Sequence, residues 1–115
     1  MAQVLEAGER PAVELGTDEC PYPPMVSFEQ PDGGSEAFPY DALMSVRYDP
    51  SGAVKVRFTT DTVTLRGRNL LTIWGVLRSG RARLLRVAAE TDGVQLDQDE
   101  PHIDSITVTP LPLKN

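Results

Sequence analysis

His102, Cys20 and the run Asp97-Gln98-Asp99-Glu100-Pro101-His102-Ile103-Asp104 hold the side chains best suited to chemistry. A serine nucleophile needs a base; the chain has one histidine and no serine in a sharp strand–helix elbow. Cys20 lies between Asp18-Glu19 and Pro21, where neighbouring negative charge disfavours a thiolate. A single cysteine forms no internal disulfide and excludes a multi-cysteine zinc site. Carboxylates at alternate positions suit calcium, but this run lacks the central glycine and closing glutamate of the usual calcium loop. His102 and Asp104 on one strand face supply two ligands where three or four are needed. The run reads as a solvated acidic loop, and neither metal nor cofactor is expected. Gly67-Arg68-Asn69, at the start of an apolar segment, is a faint phosphate cradle, for which an ordinary strand-to-helix turn is the simpler account. No catalytic residue is assigned, and the chain is expected not to be an enzyme.

Charge carries more information. The chain has 115 residues and a net charge of −6, but the charges are segregated. Residues 1–50 hold ten acidic side chains against Arg10 and Arg47. Residues 51–86 hold Lys55, Arg57, Arg66, Arg68, Arg78, Arg81, Arg83 and Arg86 against Asp61 alone. Residues 87–115 return to six acids against Lys114. Local charge, screened over about 10 Å in physiological salt, sets what a surface attracts. Either the acidic ends fold back on the basic middle in weak ion pairs, or that middle is a patch for an anionic partner.

These cations need an element to position them, and period-two alternation supplies it. Ala42, Met44, Val46 and Tyr48 alternate with Leu43, Ser45 and Arg47; Val54, Val56 and Phe58 with Lys55, Arg57 and Thr59; Val63 and Leu65 with Thr62, Thr64 and Arg66. Asp49-Pro50-Ser51-Gly52 and Thr60-Asp61 supply the turns of a three-stranded meander. Keeping the apolar sets on one face puts Val46 opposite Val54 or Val56, with a first loop of odd length, three or five residues. A tip at Thr60-Asp61 pairs Phe58 with Val63 and Val56 with Leu65. The outward face then carries Arg47, Lys55, Arg57 and Arg66, with Arg57 beside Thr64 and Lys55 beside Arg66. Like charges abreast are unfavourable unless something anionic meets them.

Elsewhere the pattern is coarser. Pro11, Pro21, Pro23, Pro24, Pro31 and Pro39, with Gly33-Gly34, interrupt residues 1–41, which read as an extended arm with a mobile stretch at 1–10. Met25-Val26-Ser27-Phe28 within it suits an edge strand. Pro21-Tyr22-Pro23-Pro24 fits either a rigid connector or a ligand for a proline-binding module. Asn69 is a good cap for the apolar stripe Leu70, Leu71, Ile73, Trp74, Val76 and Leu77, and Ser79-Gly80 stops it, giving a short helix at about 69–79. Residues 81–89 fit a strand or a continuation of that helix. Thr91-Asp92-Gly93 signals a hairpin returning through 94–96, and 103–109 alternate as a last strand.

The architecture expected is α+β: an antiparallel, meander-like sheet of four to six strands with one short helix on one face. Residues 42–110 form the compact domain and 111–115 a tail. The function expected is that of a non-catalytic accessory or interaction domain whose partner is another protein or a second copy of the chain. The alternative is an anion or nucleic-acid binder using Arg47, Lys55, Arg57, Arg66 and Arg68. No signal-like n-region opens the sequence, no segment is apolar for the roughly 20 residues a bilayer crossing needs, and the expected location is cytoplasmic.

Overall fold

The computed structural model describes residues 11–88 and 100–112. In chain order these form β1 (Val13–Leu15), β2 (Met25–Glu29), β3 (Ser35–Pro39), a 3-10 turn at Tyr40–Ala42, β4 (Leu43–Asp49), β5 (Ala53–Phe58), β6 (Asp61–Arg68), α1 (Leu71–Arg78), β7 (Ala82–Arg86) and β8 (His102–Pro110). The fold is α+β, as expected from the sequence, but its strands divide between two sheets. The first has the order β1-β7-β2-β3 and the second β4-β5-β6-β8. Every pairing is antiparallel except that of β2 with β7.

β4, β5 and β6 make the expected meander. Val46 pairs with Val56 across the three-residue loop Pro50-Ser51-Gly52, in which Gly52 takes φ +110 and its N–H donates to the Asp49 carbonyl at 3.0 Å. The second hairpin departs from expectation by two residues. Val63 pairs with Val56 and Leu65 with Val54, so Asp61 opens β6 rather than forming the tip. A two-residue slip keeps every side chain on its face, whereas a one-residue slip would reverse the sheet. β4 also carries a bulge between Leu43 and Ser45. It turns Leu43 toward the interior and leaves Met44 60% exposed, which corrects the placement of Met44 on the apolar face.

The segment read from the sequence as an extended arm supplies β1, β2 and β3. Its prolines lie in the connectors or, for Pro39, at the end of an edge strand, so they bound the strands rather than break them. β7, read as strand or helix, is a strand lying between β1 and β2. The expectation for residues 1–10 and the hairpin at 91–96 lie outside the described residues.

The two sheets share one core. Val26, Phe28 and Phe38 of the first meet Val54, Val56, Phe58, Val63, Leu65 and Ile106 of the second. Phe38 stacks on Phe58 with ring centroids 4.5 Å apart, and Phe28 meets both edge-on. α1 adds Leu70, Ile73 and Leu77 to this core. Its Trp74 is half-buried and turns to the rim of the second sheet, where Nε1–H donates to the Val46 carbonyl at 3.0 Å. Asn69 does not cap the helix: it takes φ +57, and its amide donates to the Glu100 carbonyl. At the other end Gly80, at φ +77, donates to the Leu77 carbonyl while Arg81 N–H reaches that of Val76. That paired closure stops α1 and releases the chain into β7. Among the described residues no helix is long and apolar enough to cross a membrane.

Candidate functional site: a cationic sheet face

On β4, β5 and β6 the side chains that alternate with the core stand on the outer face of the second sheet. Register places them in rows running across the strands. Ser45, Arg57, Thr62 and Thr109 form the first row, and Arg47, Lys55, Thr64 and Thr107 the second. Asp49, Ala53, Arg66 and Ser105 form the third. Arg68 follows two residues beyond Arg66 and pairs with His102. All five cations singled out from the sequence are exposed and fall on this one surface.

Their neighbours differ from those expected. The two-residue slip sets Arg57 beside Thr62 and Lys55 beside Thr64, and Arg66 beside Ala53 and Ser105. The like-charge pair is instead Arg47 with Lys55, directly opposite each other on β4 and β5. Residues facing each other across antiparallel strands have Cβ atoms about 5 Å apart, where equal charges repel.

Acidic side chains neutralise the other end of the basic segment. Glu14 of β1 bridges Arg83 and Arg86 of β7, and Arg86 Nε lies 3.8 Å from Glu29. The buried Arg86 also donates to the Pro11 carbonyl at 2.8 Å. Among the described residues, carboxylates of the N-terminal segment thus fold back on β7, as one of the two readings expected, and form no ion pair with the meander. Among the described residues Arg47, Lys55, Arg57, Arg66 and Arg68 form no ion pair. Asp49 borders the face beside β4. Its carboxyl is held below the usual range, first by hydrogen bonds from the Ser51 backbone and hydroxyl and then by the fields of Arg47 and Lys55.

The surface is polar and non-aromatic. Of the seven aromatic residues none stands on it: the three phenylalanines are in the core, and Tyr48, opposite Val54, belongs to the other side of the sheet. Serine and threonine hydroxyls occupy the places between cations. Ser105, Thr107 and Thr109 belong to this surface and were not assigned to it from sequence. Their alternation was legible, but the pairing that brings them beside β6 spans a long loop.

Other candidates dissolve. His102 Nε2 lies 3.0 Å from Asp104 Oδ1, so these two engage each other. Among the described residues no group of three or more His, Cys, Asp or Glu could hold a metal ion. Cys20 is free and exposed. A groove of about 440 Å³ lies between Tyr22-Pro23-Pro24 and the end of α1. Its Tyr40 hydroxyl is already committed to the Ala82 carbonyl at 2.7 Å, and burial pushes its pKa up to about 12. Pro23 is buried and the Pro24 carbonyl accepts from Tyr40 N–H, so the proline run serves as a connector. Comparisons with protein-family models, curated proteins and solved structures give no match.

Proposed function

We propose that this chain is a non-catalytic interaction domain that docks an acidic protein partner on the outer face of its second sheet. The observation that carries this reading is Arg47 directly opposite Lys55, both exposed and neither in an ion pair among the described residues. A partner carboxylate between them relieves their repulsion, so the free surface holds its charges at a cost that association removes. The absence of aromatic side chains from the face favours a polypeptide over a single-stranded nucleic acid, which such surfaces hold largely by base stacking. The chain's net charge of −6 adds long-range repulsion against any polyanion, leaving short-range complementarity to select the partner.

Binding to polyglutamate, measured by amide chemical-shift titration, tests the reading. Association in about 50 mM salt, weakened roughly tenfold by about 200 mM and abolished by Arg57→Glu with Arg66→Glu, is the expected result. No association with polyglutamate at low salt overturns it. Tighter binding to mixed-sequence DNA than to polyglutamate transfers the face to the nucleic-acid reading.

A second copy of the chain is the competing protein partner. β3 is an edge strand of the first sheet, and its Ser35, Glu36 and Ala37 are exposed. Light scattering at high concentration decides: a dimeric mass supports self-association, and a monomeric mass removes it. We place the protein in the cytoplasm, where an exposed free thiol such as Cys20 stays reduced.

A further inference from the structure

Resting on the reading of the cationic face as a docking surface, we infer that its ligand is an extended segment with acidic side chains at alternate positions, running along β5 and β6. The inference comes from how the cations are spaced. Arg57 stands in the first row and Lys55 in the second, both on β5; Arg66 stands in the third on β6, with Arg68 two residues beyond it. β5 and β6 are antiparallel, so falling numbers on one strand and rising numbers on the other progress in the same direction. Counting β5 and β6 alone, the result is one cation at each of four successive steps, shifted by one strand midway, with Arg47 of β4 beside Lys55 as a second cation in the second row.

Rows on one face recur every two residues, or about 7 Å along a strand. An extended polypeptide repeats its own side chains on one side at that same interval. Four carboxylates on alternate residues therefore meet four cations in turn. A helical segment, whose same-side residues recur every three or four positions at about 1.5 Å per residue, meets them out of step. The flanks define the track. Thr62, Thr64 and Ser105 line one side with neutral hydroxyls, and on the other Asp49, in the third row, repels a carboxylate that strays from Arg66 toward β4.

Two octapeptides of identical composition, with blocked ends, test this: alternating Glu-Ser repeats, and four Glu followed by four Ser. Each is titrated into the full chain at about 50 mM salt while backbone amide shifts are followed. The expected result is at least tenfold tighter binding of the alternating peptide, with shifts tracing Arg57, Lys55, Arg66 and Arg68. Replacing Arg66 by Gln, with an unchanged far-ultraviolet spectrum, is expected to erase most of that preference. Equal binding of the two peptides overturns the alternating track and leaves the acidic-partner reading standing. Binding of neither, and none of polyglutamate, overturns both. Tighter binding of an oligothymidylate than of the alternating peptide overturns the polypeptide ligand in favour of a phosphate backbone.

Discussion

At Gly67, where the register of β6 against β8 shifts after Arg66, a Cβ atom would overlap the carbonyl oxygen of His102. Gly67→Ala must push the strands apart or move the bulge, and is expected to lower unfolding free energy by ~3 kcal/mol in urea titrations. Gly75 is the contrasting case. It lies within α1, and an added Cβ meets nothing within 4 Å, so Gly75→Ala is expected to raise stability by about 0.5–1 kcal/mol. Tyr40 tests burial through pH. Its pKa is raised from 10.0 to about 12, chiefly by desolvation of the phenolate. The folded state therefore binds the Tyr40 proton more tightly than the unfolded chain. That contribution is complete below pH 10 and is lost as pH rises toward 12. Tyr40→Phe is expected to flatten the fall in stability across that window, while costing about 1 kcal/mol at neutral pH through the lost hydrogen bond.

Elements built from local contacts were legible, and those completed by distant chain were not. Val54, Lys55, Val56, Arg57 and Phe58 announce a half-buried strand with no help from elsewhere, and the odd-length loop before them follows from keeping Val46 on their apolar side. The two-residue slip of the second hairpin was invisible because both registers satisfy the same pattern. The β6–β8 pairing of Asp61 with Pro110 and Thr62 with Thr109 accompanies the observed register. Met25 to Phe28 reads as a strand in the sequence, but as an edge strand, whereas β2 lies inside its sheet between β7 and β3. That place, like the short β1, depends on pairing with β7 far along the chain. Trp74 shows how α1 completes the second sheet. β4 is an edge strand, and the indole N–H satisfies the Val46 carbonyl on its rim. Trp74→Phe keeps most of the ring and removes the donor. The expected effect is a loss of about 1 kcal/mol and faster amide exchange in β4, with β6 unchanged.

Across the whole molecule the acidic and basic segments meet selectively. Glu14 and Glu29 gather around Arg83 and Arg86 and fasten the N-terminal strands to β7, where the buried guanidinium of Arg86 would be costly without partners. The sequence showed the charge segregation but not this sorting, since β7 and the meander fall in one basic run and separate only when β7 enters the other sheet. Of the cations left on the meander, Arg57 lies opposite hydroxyls, Arg47 and Lys55 opposite one another, Arg66 between Ala53 and Ser105, and Arg68 opposite His102. If that arrangement serves a partner, stability and binding must pull in opposite directions at Lys55. Lys55→Glu turns the repulsive pair with Arg47 into an attractive one and is expected to raise unfolding free energy by about 0.5 kcal/mol. The same change removes the second cation of the row-by-row track and is expected to weaken polyglutamate binding at least tenfold. Denaturant titration and peptide titration on one variant measure both effects. A variant that gains stability and keeps its affinity shows that repulsion at this pair is not maintained for an acidic ligand.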